Sequence, residues 1–270
     1  VSELKSIEKA LLNEAHFTNE MLCSGATQIR KANYASKGIY AQAFTSLSTG
    51  LERVGKLCFI LDYYIDNDRS FPNPKELKKT FGHELLKLYQ YSQDLIQRKS
   101  ISFDFSGNIS GSIHQEIIRI LGEFAQGDRY CNINLLLGDQ QQRDPIAKWF
   151  ELVDTPLYEK HVTYRKNRKI ADTALMHMCL NGTATVAHTS EIGEEILNIG
   201  EASFRTGVFQ AVAPYRQLYI LQIIRYWIEI LSQLGSQAQV MGCREIPYFR
   251  EIFQCFYNPD KYFRSRKTWP

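Results

Sequence analysis

No two cysteines in this chain are spaced C-x-x-C, and no two histidines are spaced H-x-x-x-H or H-E-x-x-H. No stretch reads G-x-x-x-x-G-K-[ST], G-x-G-x-x-G or G-x-S-x-G. These absences argue against the common zinc, P-loop, dinucleotide and serine-hydrolase frames, and the chain is read as holding no metal and no cofactor. Charge of one sign is also scarce: the formal net charge is only +3, so any contact with a polyanion has to be local. The first residues, VSELKSIEKALLNE, carry charges every few positions and lack the apolar core of a secretory leader. The longest apolar run, residues 214–234, includes Arg216, Arg225 and Glu229, a load that a membrane span rarely carries. It reads as a core helix, and the chain as cytoplasmic with no membrane partner. The six cysteines are scattered, four of them in apolar stretches, as small core residues kept reduced.

What is present is helical periodicity and an ample supply of core. Hydrophobic residues make up 44% of the 270 positions, with 15 Tyr, 15 Phe and 3 Trp, so a large core can be buried and disorder is not expected. Leu4, Ile7, Leu11, Ala15 and Leu22 recur at helical spacing behind Ser2, a candidate N-cap. A second helical region covers 30–66, with Gly38 and Gly50 as interruptions. A third begins at Asn73-Pro74 and is expected to run to about Gln97. SISFDFSGNISGS (100–112) reads as a loop in preference to a short strand or hairpin arm, after which Ser112 should cap a helix whose apolar stripe extends to Leu135. GDQQQRDP (138–145) is the best boundary. Beyond it, helices are expected near Pro145, Pro156 and Arg168, NGTATVAHTS (181–190) as a loop capping the next helix, a long helix from Pro214 and a last one from Pro247. The class is all-α: a helical bundle over 1–137 packed with a second helical region, 146–270, of unassigned type, or the two as one continuous domain.

The informative stretch is GLERVGKLCFILDYY (50–64), an apolar helix interrupted by Glu52, Arg53 and Lys56. At about 100° per residue, Glu52, Lys56, Phe59 and Tyr63 share one seam, with Arg53 to its side. Glu52 and Lys56 stand i,i+4 with the acid first, the better order for an intrahelical pair. Asp128 falls on the apolar stripe of its own helix and needs either a cation, Lys56 or Arg53 being the candidates, or a helix break at Gly127 that exposes it. A second polar seam, Gln222, Arg225, Glu229 and Ser232, runs along the long C-terminal helix.

G-L-E-x-x-x-K followed some way on by GHELLKL resembles HEPN proteins, helical domains in which an E-x-x-x-K helix precedes an H-D-L-x-x-L segment. The matching residues are Glu52, Lys56, His83, Glu84, Leu85 and Leu88, and Arg129-Tyr130 resembles an Arg-aromatic element of a later helix. The resemblance covers residues 1–137. It implies a helical bundle, a homodimer, and work in bacterial antiviral-defence or toxin-antitoxin systems, where many members are metal-independent RNases. Their catalytic Arg, four to six residues, then His is missing here: Arg168 and His177 stand too far apart, and the nearest substitute is Lys78 with His83. Lys carries the charge but not the forked phosphate contact of Arg.

The expectation is therefore a non-catalytic or degenerate member that binds RNA or a protein partner from the same operon. The alternatives are an RNase with a non-standard site drawn from Lys78, His83 and Arg129, or a structural subunit of a larger complex. The polar seam is Glu52, Arg53, Lys56, Asp128 and Tyr130. Two basic clusters are nucleic-acid candidates: Arg165, Lys166 and Arg168 in YRKNRK, and Arg264, Arg266 and Lys267 among aromatics at the C-terminus, which suits single strands. The competing reading of that tail is a segment that docks its aromatics on the body.

Overall fold

The computed structural model describes residues 2–105, 109–138, 144–181 and 184–270, with side chains from residue 6 onward. The cap expected at Ser2, the side chain of Leu4, and parts of the 100–112, 138–145 and 181–190 stretches lie outside the described residues. The fold is all-α. Two long antiparallel helices, α1 (Ser2–Lys31) and α2 (Gly38–Asp66), are joined by a 3-10 turn at Tyr34–Ser36. Then come α3 (Pro74–Phe81), α4 (Leu85–Lys99), α5 (Ser112–Gln126), α6 (Cys131–Leu136), α7 (Pro145–Trp149), α8 (Thr155–His161) and α9 (Tyr164–Leu180). A hairpin, β1 (Thr185–Thr189) antiparallel to β2 (Glu195–Asn198), precedes α10 (Ile199–Val240), and α11 (Phe249–Ile252) and α12 (Asp260–Ser265) end the chain.

α2 is the axis of the N-terminal elements, packed against α1, α4, α5 and α10. α10 is buried along most of its length from Ala211 to Ala238 and lies on α1, α2, α8 and α9. One apolar core runs through both regions of the chain, from Leu11 and Phe44 to Trp227, Phe256 and Trp269.

Several boundaries differ from the periodicity, each for a physical reason. Gly50 does not interrupt α2: it lets α1 and α2 approach, since a Cβ there would lie 2.7 Å from Leu22 Cδ2. Gly25 serves the same crossing from the other side, 2.6 Å from Leu47 Cγ. The helix expected to run from Pro74 to Gln97 is broken at Gly82, whose φ of +51° favours glycine. Ser112 is the first residue of α5 and makes no side-chain cap; Gly111 stands before it. α5 stops at Gly127, and Leu135, expected on the buried stripe, is 61% exposed.

Thr185–Thr189 and Glu195–Asn198 form the hairpin, not a loop and a helix start, and Ser190 caps the hairpin turn by accepting from Glu194 N–H at 3.0 Å. The helix begins at Ile199 instead, capped by Asn198. It runs through Pro214, because packing on neighbouring helices outweighs the one backbone hydrogen bond that proline removes.

The α1/α2 crossing yields a test. Gly50→Ala should lose about 1–3 kcal/mol to overpacking against the buried Leu22, more than the roughly 1 kcal/mol helix preference of Ala over Gly returns. Gly38→Ala, where a Cβ meets nothing within 4 Å, should lose none. Urea denaturation of the two variants distinguishes the sites, and equal midpoints would contradict the close crossing.

Candidate functional site

A groove of about 830 Å³ opens between α1, α2, α3 and the end of α5. Its walls are largely apolar, with Leu11, Leu57, Ile60, Phe71 and Leu77 among them. Glu14, Glu52, Arg53, Lys56, His83 and Arg129 bring charge and hydrogen-bonding capacity to the same surface. The i,i+4 spacing on α2 joins Lys56 Nζ to Glu52 Oε1 at 2.6 Å, with both side chains mostly buried. The turn at Gly82 then carries His83 across from α2. Its Nδ1 lies 3.0 Å from Glu52 Oε2 and 3.1 Å from Oε1. With the proton on Nδ1, the imidazole donates to the carboxylate and leaves Nε2 as an acceptor. The His83 side chain is 71% exposed.

Arg53 reaches across to α1, where its Nη1 meets Glu14 at 2.7 and 2.8 Å and its guanidinium lies 4.5 Å from the Phe17 ring centre. Arg129 stands at the groove edge with its guanidinium 4.9 Å from the Tyr130 ring centre. No carboxylate among the described residues pairs with it.

Five of the residues singled out in the sequence thus meet in one groove: Glu52, Arg53, Lys56, His83 and Arg129. Tyr130 adjoins them. Lys78 is exposed on α3 and does not line the groove. Asp128 pairs neither with Lys56 nor with Arg53. Gly127 ends α5, and Asp128 sits in a 3-10 turn where Lys148 of α7 donates to it at 2.6 Å. Lys148 also reaches Glu123, which Arg119 contacts at 2.6 Å. Burial alone would raise the Glu123 carboxyl; the two cations outweigh it and hold the pKa below its ordinary value.

Arg165, Lys166 and Arg168 lie exposed in the first turns of α9. The C-terminal cluster is docked. Phe263 is fully buried, Trp269 stacks on Phe256 at 5.6 Å, and Arg266 lies 5.0 Å from the Trp269 ring centre. Arg30 holds the Arg264 carbonyl at 2.9 Å, and Gln217 donates to the Lys267 carbonyl at 3.3 Å. The second polar seam faces loops of the same chain. Arg225 donates to Asn258 O and Asp260, and Glu229 accepts from the Asp104 N–H at 2.6 Å. Among the described residues no cluster of three His, Cys, Asp or Glu is placed to hold a metal ion, and no helix is long and apolar enough to cross a membrane.

No family model matches the chain, and neither a curated protein nor a solved structure matches it. The geometry therefore has to carry the functional reading.

Sequence reasoning missed Glu14, Phe71 and Lys148. Glu14 gave a weak signal, an acid beside the Leu11/Ala15 stripe; the other two depend on which elements meet. Two outcomes test the site's construction. Lys56→Met should cost only about 1 kcal/mol, since Glu52 keeps some solvent and retains His83. Glu52→Gln/Lys56→Met should cost less than the sum of its singles in a thermal double-mutant cycle; additive losses would show no coupling. Truncation after Asp260 should lose several kcal/mol, because Phe263 and Trp269 leave the core and each large aromatic removed costs about 3–5 kcal/mol. An unchanged melting temperature would mean the tail only rests on the surface.

Proposed function

We propose that this chain is a HEPN-like helical binding protein without nuclease activity. It works as a homodimer in a bacterial antiviral-defence or toxin-antitoxin system, and its groove takes a segment of a protein partner. The observation that carries this reading is the neutralisation of the groove. Lys56 is matched by Glu52 and Arg53 by Glu14, leaving Arg129 as the surplus cation among apolar walls. A polyanion draws its affinity from cations free to replace counter-ions, and this surface offers few. An apolar groove with one charged edge suits an amphipathic helix whose polar rim carries an acid opposite Arg129.

The dimer is supported by α6 and the residue after it. Ile133, Leu135, Leu136 and Leu137 are 54–86% exposed beside Arg129-Tyr130, an apolar patch that a partner would remove from water.

One observation favours a second reading, an RNase with a non-standard site. Glu52 holds His83 through Nδ1 and no described residue bonds Nε2, the arrangement of a general base steered by a carboxylate, with Lys56 and Arg129 in the same groove to meet a phosphate. Cleavage of a single-stranded RNA separates the two. The wild-type protein should degrade it no faster than His83→Ala, and cleavage lost in that variant would establish the RNase instead. Light scattering over a concentration series should give twice the chain mass, falling toward the monomer in Leu136→Glu/Leu137→Glu. A wild-type monomer at tens of micromolar would remove the dimer.

A further inference from the structure

A second cavity, of about 300 Å³, lies away from the groove, between the β-hairpin tip, α10 and the chain joining α7 to α8. That junction is a π-helical turn, Phe150–Asp154, a local widening of the helix that recurs at functional sites. Apolar walls come from Phe150, Phe204, Phe209 and two valines. The charged residues are three acids, Asp154, Glu191 and Glu201, and two arginines, Arg205 and Arg216.

Two of the acids are matched. Arg216 Nε donates to Asp154 Oδ1 at 2.8 Å, and Arg205 Nε donates to Glu201 at 3.0 Å. Glu191 is left over. It sits at the tip of the hairpin, where side chains are normally solvated, yet it is 6% exposed and the preceding Ser190 is fully buried. Among the described residues its carboxylate makes no ion pair. Burial pushes its pKa upward, Asp154 adds to the rise, and Arg216 and Arg205 oppose it. A buried acid without a counter-ion is expensive to keep.

We infer that this cavity binds a small organic monocation, an amine on an aromatic or aliphatic body, with Glu191 as its counter-ion. The charge balance selects the ligand: among the residues lining the cavity three carboxylates face two guanidiniums, and one of these, Arg205, is shared with Glu194 outside the lining at 3.0 Å, so the balance is negative. The phenylalanines line the cavity and would cover the apolar body, and Phe209 already lies 5.7 Å from a guanidinium, that of Arg216, so a cation is tolerated beside these rings. The volume, at the lower end of ligand pockets, sets the size. The inference is independent of the groove.

Phenethylammonium is the probe and 2-phenylethanol its neutral counterpart, each titrated into the full chain at pH 7.5 by calorimetry and thermal shift. Phenethylammonium should bind saturably and raise the melting temperature, and 2-phenylethanol should bind at least tenfold more weakly. Glu191→Gln should melt no lower than wild type, since it removes an unmatched buried acid, and should weaken the amine at least tenfold. Val208→Trp, which fills the cavity and leaves Glu191 in place, should abolish binding; it decides the matter should Glu191→Gln fail to fold. No saturable binding of phenethylammonium at 10 mM overturns the inference. So does equal binding of the alcohol, or binding unchanged in Val208→Trp.

Discussion

The buried pair between Arg216 and Asp154 is the contact on which the assembly of this chain depends. Arg216 is 2% exposed and Asp154 5%, deep enough that neither charge would be tolerated alone. The guanidinium grips the carboxylate through Nε and Nη2, and turns Nη1 toward the carbonyls of Ala32 at 2.7 Å and Ile29 at 3.2 Å. It therefore also satisfies backbone acceptors where α1 ends. Asp154 takes further hydrogen bonds from Trp149 Nε1 at 3.0 Å and Tyr40 OH at 3.4 Å. Five segments meet at one ion pair: α1, α2, α7, the π-helical turn and α10. Burial raises the Asp154 pKa; Arg216 and these donors oppose the rise, and the net shift stays upward.

That knot sets the position of α10, and α10 sets the rest. Its Gln217 reaches the Ala26 carbonyl at 2.9 Å and the tail at Lys267, so the C-terminus is tied to the end of α1 through the same helix. Its Arg225 and Glu229 fix the 258–260 and 104–105 loops. The N-terminal elements are fixed differently, by the Gly25/Gly50 crossing, which brings α1 close enough for Glu14 to meet Arg53. The groove lies beside that crossing. Apart from Arg129, its charges are satisfied by neighbours on α1, α2 and the Gly82 turn, whereas the cavity behind the hairpin keeps one acid, Glu191, that no cation among the described residues meets in an ion pair.

Charged residues inside apolar helices were the legible signal, and their partners on other elements were not. The Glu52/Lys56 pair needs only a helix, because residues four apart face each other on any helix. The contact of His83 with Glu52 needed the break at Gly82, which a helical wheel carried through to Gln97 hides. Asp128 was legible as a problem. Its solution combined both readings, a break at Gly127 and a cation, but the cation is Lys148, which the chain brings back after a linker. The hairpin was not legible: its two strands are short, partly polar and mostly solvent-exposed, so neither alternates clearly.

By itself the sequence determined the helical class, the long helix around 214–234, the intrahelical ion pair, and the need to bury Arg216, Arg225 and Glu229 against something. All of these follow from local spacing and from the cost of charge in an apolar run. The tertiary structure alone decided which acid meets which base between elements, that the aromatic tail belongs to the core, and that Glu191 is buried with no ion-pair partner among the described residues. Those outcomes depend on residues distant in the chain meeting through close packing, and local periodicity carries no information about distant neighbours.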